Sequence, residues 1–304
     1  MADVARQEGD HFTLRFDAPE IAASARPGQF VNVRYPGGIE PPAAFDSYAD
    51  LQAHHKTHPP AEPPFLLARP FGVRRVRPDG SVEILFKAVG RGTRLLARAQ
   101  PGTKLDVLGP IGNSFDLSTP PGTAILVAGG TGIAPLYLLA DTLHKLGSEL
   151  VVLVGTGYDV PMSMSDSETV VHFLDEEVTA VIDEYAEMGA LVRVATMTPR
   201  TGCFTGTSVD LLERYLQSLN PKQLQRHAIY SCGPWAMQAA VAKLAETNRM
   251  QCQVLLEERM GCGLGACMGC VVKVRQPDGT FRNKRVCVDG PVFRADEIGW
   301  DLRE

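Results

Sequence analysis

Ala124-Ile125-Leu126-Val127-Ala128-Gly129-Gly130-Thr131-Gly132-Ile133-Ala134-Pro135 is the stretch that decides the fold. Its first five residues are an unbroken apolar run, as a strand buried on both faces of a parallel sheet requires. Glycines then form a tight turn, and a helical stretch follows from Pro135 to Leu146. A second apolar run, Leu150-Val151-Val152-Leu153-Val154, completes a βαβ rhythm. Residues 118–251 therefore read as a doubly wound α/β domain. Such a glycine turn lets the backbone approach a pyrophosphate, and the helix behind it offers free N–H groups. It can equally be only a tight strand–helix connection, and it departs from the usual G-x-G-x-x-G spacing. A second turn, Tyr230-Ser231-Cys232-Gly233-Pro234, follows His227-Ala228-Ile229 and precedes a helix from Trp235. That places it at another strand's carboxyl end, where open α/β sheets bind ligands.

Upstream the pattern changes. His11 to Phe16 and Gln29 to Val33 alternate in strand fashion, and Val82 to Phe86 follows the turn Pro78-Asp79-Gly80. Several short strands with turn signals predict an antiparallel β-barrel over residues 1–117. Residues 37–64, rich in proline and histidine, fit neither pattern. Three histidines there suggest a metal site, but no carboxylate or cysteine stands at ligand spacing, which favours an extended surface loop.

Downstream, residues 252–304 form a small cysteine-bearing module. Cys262-x4-Cys267-x2-Cys270 is the plant-type [2Fe–2S] spacing. Cys287 supplies a fourth thiolate across a hairpin expected at 271–274 and 285–288 around Pro277-Asp278-Gly279. Four thiolates can also bind zinc. The four-residue gap and the glycines at 261, 263, 265 and 269 favour iron–sulfur, because such a loop can aim backbone N–H groups at cluster sulfurs. Cys203 and Cys252 have no evident role.

Composition narrows the classes further. The 304 residues are 44% hydrophobic and 21% charged, enough for ordinary globular cores. A net charge of −5 gives no general attraction to nucleic acid or anionic membranes. No apolar run approaches the roughly 18 residues that span a bilayer. The first residues, Met1 to Arg6, lack the apolar stretch of a signal peptide, so a cytoplasmic protein is expected. Seven cysteines, an odd number, argue against a disulfide framework.

The two sheet-end turns together resemble those of the ferredoxin–NADP reductase superfamily. The resemblance implies that Gly129, Gly130, Thr131, Gly132, Cys232, Gly233 and Pro234 hold the nicotinamide nucleotide. It implies that the preceding barrel holds FAD through the family's Arg-x-aromatic-Ser/Thr motif, here Arg69-Pro70-Phe71-Gly72. Gly72 stands where that family usually carries a hydroxyl. Leu85-Phe86-Lys87, Gly90 to Thr93, Leu108 to Phe115, Leu256 to Cys270 and Val286 to Phe293 are similar, in the same order, to one branch. That branch is the electron-transfer subunits of class 1B dihydroorotate dehydrogenase.

This second resemblance implies further FAD contacts at Leu85, Phe86, Lys87, Gly92 and Thr93. It implies electron flow between NAD(H), FAD, a [2Fe–2S] cluster on Cys262, Cys267, Cys270 and Cys287, and the FMN of a catalytic partner subunit. The setting would be pyrimidine biosynthesis and the assembly a heterotetramer. No catalytic side chain is required, since such a protein places cofactors rather than performing acid–base chemistry. Leu264, Met268 and Phe293 would either meet the partner or pack the module's own core. Two other readings stand beside this one. The first is an NAD(P)H-dependent reductase subunit of a hydrogenase, sulfide dehydrogenase or transhydrogenase. The second is a redox sensor that binds nucleotide without turnover, which would leave a complete cofactor set unused. Thr198-Pro199-Arg200-Thr201-Gly202-Cys203 replaces an acidic glycine–serine turn common in relatives, and Thr156 to Val170 is also unusual.

Overall fold

The computed structural model describes residues 3–35, 68–157 and 159–302. The segment expected as an extended surface loop, 37–64, lies outside the described residues. The N-terminal part is antiparallel, as its alternating pattern requires. Strands β1 (Asp3–Arg6), β2 (His11–Asp17), β3 (Phe30–Arg34), β4 (Arg69–Gly72), β5 (Arg75–Val76), β6 (Ser81–Lys87) and β7 (Asp106–Ile111) form two sheets among the described residues. One runs β1-β2-β6-β5 and the other β4-β3-β7. The register of β3 against β7 slips between Phe30 and Asn32, which bends the smaller sheet. Leu14, Phe16, Val31, Val33, Val82, Ile84 and Phe86 from the two sheets fill one core.

The middle of the chain is the doubly wound sheet. Strands β8 (Thr123–Gly129), β9 (Glu149–Thr156), β10 (Met164–Asp166), β11 (Ala180–Ile182), β12 (Leu191–Thr196), β13 (Phe204–Thr205), β14 (His227–Cys232) and β15 (Gln251–Leu255) follow. All but the β10–β11 ribbon join a seven-stranded sheet of order β13-β12-β9-β8-β14-β15-β18, in which β18 is Val292–Arg294. Successive residues of β8 feed opposite faces. Ala124, Leu126 and Ala128 pack with Ile133, Leu136, Leu139 and Leu143 of helix Ile133–Lys145. Ile125 and Val127 pack with Leu211, Leu212 and Val241 of helices Ser208–Gln217 and Trp235–Thr247. Helix Ile133–Lys145 starts two residues before the expected Pro135, because proline is tolerated in a first turn that needs no N–H donor. It stops at Gly147, whose φ of +87° gives the left-handed turn after the helix.

The C-terminal module is built onto that sheet. From β15 the chain leaves, forms the hairpin β16 (Val271–Arg275) and β17 (Phe281–Arg285), and returns as β18 antiparallel to β15. The second hairpin strand is therefore 281–285 rather than 285–288, and Cys287 lies just beyond it. The turn Pro277-Asp278-Gly279 sits where expected, with Gly279 at φ +81°. Val272, Val274, Val286 and Ile298 join the same core as the helices on that face. Among the described residues no helix is long and apolar enough to cross a membrane.

Candidate functional site

The sheet order reverses at β8, whose neighbours are β9 on one side and β14 on the other. Both predicted turns stand at the carboxyl ends of β8 and β14, at this switch point. They pack backbone to backbone: a Cβ at Gly132 would stand 2.3 Å from the Cys232 carbonyl oxygen. A cavity of about 760 Å³ opens in front of them.

The antiparallel part supplies one wall of this cavity. Pro70, Phe71, Gly72, Leu85, Phe86, Lys87 and Thr93 line it. Phe71 and Phe86 meet at 5.6 Å with their rings tilted by 51°, and Phe12 stacks on Phe86 from behind at 5.9 Å, so the wall offers the aromatic surface an isoalloxazine ring can lie against. Arg69 is not in the lining but runs beside Gly92, its Nε 3.7 Å from where a Cβ of that glycine would stand. Gly92 itself does not line the cavity. The Thr93 hydroxyl donates to Gly90 O at 3.0 Å and accepts from Gly90 N at 3.1 Å, closing the start of helix Arg91–Leu96.

The opposite wall is the sheet edge. Gly130 and Thr131 line it, whereas Gly129, Gly132, Cys232, Gly233 and Pro234 stand behind them as support. Cys232 is fully buried, and its Sγ lies 3.9 Å from Glu257 Oε1. Burial and the neighbouring carboxyl hold that thiol protonated. Thr156, at the carboxyl end of β9, also lines the cavity, and its buried hydroxyl has no hydrogen-bond partner among the described residues. An orphaned hydroxyl at this edge is what a bound nucleotide would satisfy.

Several lining residues escaped the sequence reading: His11, Thr156, Gly157, Asp159, Glu257, Glu258 and Met260. Thr156 could have been found as the residue ending an apolar run at the ligand-binding edge. Glu257 carries no such signal. It faces the cavity, and the protein around it raises its pKa, the thiol of Cys232 offsetting part of that shift. Lys87 faces Asp159 at 3.9 Å across the mouth. The unusual 198–203 turn is tied to the N-terminal hairpin by Arg200, 2.8 Å from Glu8.

Gly72 has a steric reason. A Cβ there would stand 2.7 Å from Pro135 Cβ, so the flavin-side strand abuts the nucleotide-side helix only because the side chain is missing. Gly72→Ser should therefore overpack this seam rather than supply a useful hydroxyl. The expected loss is about 1–3 kcal/mol, read as a lower melting temperature. Unchanged melting with tighter FAD retention would show that Pro135 gives way.

In the C-terminal loop Cys262 interacts electrostatically with Cys267, and Cys287 with Cys270. The Val286 N–H donates to Cys270 O at 2.8 Å and brings the second pair together. No three His, Cys, Asp or Glu side chains among the described residues converge as ligands of one ion. Four such thiols can take two irons with two thiolates each, and the spacing and glycine-rich loop are what favour that over a single zinc. Backbone N–H groups of Leu264 and Cys267 point at Cys262 Sγ at 3.3 and 3.4 Å. They pull that thiol down to about 6, while burial pushes Cys287 up to about 11. This donor set fits an iron–sulfur cluster. Cys203 and Cys252 are buried elsewhere. Leu264 and Met268 are 54% and 51% exposed, but Phe293 is buried, so only the first two can meet a partner. The loop touches the flavin side: Asn32 Nδ2 lies 3.4 Å from Cys262 O, and Asn32 pairs with Pro70.

Two families match this chain. Residues 257–299 match the iron–sulfur cluster binding domain of dihydroorotate dehydrogenase B, and residues 126–243 match the oxidoreductase NAD-binding domain. The dihydroorotate dehydrogenase B (NAD(+)) electron transfer subunit of Desulforamulus reducens is 32% identical over 95% of this chain and 93% of its own. That of Bacillus caldolyticus is 34% identical over 94% and 92%. Among solved structures, a chain of the NADH-dependent reduced ferredoxin–NADP oxidoreductase superposes with a TM-score of 0.68 at 25% identity, covering 99% of this chain and 92% of that one. The ferredoxin reductase of carbazole 1,9a-dioxygenase shares the fold, with a TM-score of 0.52 at 18% identity over 82% of this chain and 64% of that one. The chain belongs to the family of dihydroorotate dehydrogenase B electron transfer subunits.

Proposed function

We propose that this chain carries electrons between NAD(H) and the FMN of a dihydroorotate dehydrogenase catalytic subunit in pyrimidine biosynthesis. The observation that carries this reading is one cavity with an aromatic wall on one side and glycine turns on the other, backed by a four-thiol loop. Three parts divide the work: residues 1–117 for FAD, 118–251 for the nucleotide and 252–304 for the cluster. Arg69, with its fixed fork of donors, binds flavin phosphate beside Gly92 and Thr93. Pro70, Phe71, Gly72, Leu85, Phe86 and Lys87 lie along the ring. Gly130 and Thr131 receive the dinucleotide, with Gly129, Gly132, Cys232, Gly233 and Pro234 holding their turn in place. Cys262, Cys267, Cys270 and Cys287 hold the [2Fe–2S] cluster. Bound there, FAD converts two-electron to one-electron chemistry and the cluster relays single electrons. The protein's residues bind, orient and exclude water, and none acts as an acid or base on a substrate. All seven cysteines are free thiols, which suits the reducing cytoplasm.

The partner meets the cluster loop, where Leu264, Met268 and Val288 are exposed together, and two such pairs make the heterotetramer. Alone, the chain should oxidise NADH with artificial acceptors and leave dihydroorotate untouched, because C–H abstraction belongs to the FMN site of the catalytic subunit. Mixed with its catalytic subunit it should couple dihydroorotate oxidation to NAD⁺ reduction. Dihydroorotate turnover by the chain alone would refute this division of labour. The likeness to the NADH-dependent ferredoxin–NADP oxidoreductase favours a second reading, a reductase subunit of a transhydrogenase-type complex. Stable co-purification with such a subunit in place of an FMN protein would select it.

A further inference from the structure

Just beyond the flavin-side strand β4 come Arg74 and Arg75. The Arg74 side chain is only 3% exposed, and its guanidinium pairs with Glu83 of β6 and with Glu184 of the nucleotide half. Arg75 Nη2 reaches the same Glu184 Oε2 at 2.6 Å. Both guanidinium groups also lie over the ring of Tyr137, at 4.9 and 4.2 Å. Tyr137 belongs to helix Ile133–Lys145, which the glycine turn opens. It packs edge-on against Tyr185 at 5.4 Å, and the Tyr185 hydroxyl donates to Ile133 O at 2.7 Å. Pro135 of that helix is the residue Gly72 abuts. A closed circuit of contacts thus joins β4 to the dinucleotide turn, and Glu184 is the acid through which both arginines enter it.

Arg74 and Glu83 are buried while Arg75 and Glu184 are 23% and 36% exposed, and such a cluster is weak evidence of stabilisation, because desolvation offsets much of the attraction. An apolar seam would hold the two halves together equally well. Directional pairing with two arginines and a ring fixes their orientation. Two other charged links join the halves among the described residues, Glu8 with Arg200 and Lys87 with Asp159, and neither contains a fully buried group such as Arg74. Hydride transfer needs the reacting atoms about 3–3.5 Å apart, and a 1 Å misplacement can cost about 10²-fold in rate.

We propose that Glu184 is a positioning residue, which by clamping Arg74 and Arg75 to the helix behind the glycine turn sets the separation of nicotinamide and flavin. The proposal rests on the cavity being the flavin–nicotinamide site, and it adds a residue outside that cavity's lining. Glu184→Gln keeps volume and shape but removes the charge. Bleaching of bound flavin by saturating NADH should slow by about 10²-fold, with FAD content and the KM for NADH unchanged. Amide hydrogen exchange over residues 130–136 should quicken. Arg75→Gln, at the rim of the cluster, should give a smaller change of the same kind and decides the matter if Glu184→Gln does not fold. Wild-type bleaching rates in the variants, or a raised KM with kcat unchanged, would overturn the clamp. If NADH fails to bleach even the wild-type flavin, the cavity assignment falls. Exchange at 130–136 then judges the clamp alone: quicker exchange upholds it and unchanged exchange removes it.

Discussion

Serine at any one of Cys262, Cys267, Cys270 or Cys287 should strip the chain of its cluster. The protein as purified should hold two irons and two sulfides per chain and show visible thiolate-to-iron absorption. In each variant iron should fall towards zero and the absorption should vanish. In such a cluster one loss suffices: each iron depends on two thiolates, and a serine hydroxyl is neither thiolate nor soft donor. Cys203→Ser and Cys252→Ser should keep iron in full, since both thiols are buried away from the loop. FAD should remain in all six variants, because none of the six cysteines lines the cavity. Zinc in the purified protein, without that absorption, would sink the assignment.

The second large effect separates the two ligands of the cavity. Arg69→Ala should lose FAD. A hydrogen bond to a charged group contributes about 1.5–3 kcal/mol, so retention should weaken by roughly one to two orders of magnitude. Gly130→Val should do the reverse and block NADH while keeping flavin. Gly130 sits at φ +53° with nothing within 4 Å of where its Cβ would be, so a valine is strained and its side chain enters the space the dinucleotide needs. Flavin content by absorbance and bleaching by NADH report the two outcomes separately. If neither variant loses its ligand, the two walls have been assigned wrongly.

Much of this was legible in sequence, for physical reasons. An apolar run buried on both faces has few alternatives, so β8 and β9 and the helix between them were readable within two residues. The cysteine spacing was equally plain. Less was legible where a residue's surroundings come from distant parts of the chain. Gly72 looked like a missing hydroxyl, and only Pro135 opposite explains it. The split of the N-terminal strands into two sheets depends on which strands pair, and pairing leaves no mark on alternation. Phe293 could be read as contact or as core, because β18 is only three residues long, too short to show a period. Glu257 follows a strand without belonging to one, and its role as a wall is set by Cys232, far behind it in sequence.

The return of β18 to the edge of β15 has a kinetic consequence. A carrier on a flexible linker swings between donor and acceptor, and linker length sets its effective concentration at each. Here both ends of the cysteine segment are woven into the sheet, and its valines share a core with two helices. Such a module is a stationary port. It cannot travel to an acceptor, so every electron that leaves must wait for another surface to come to Leu264 and Met268. Turnover with a protein acceptor should then follow how long that surface stays docked.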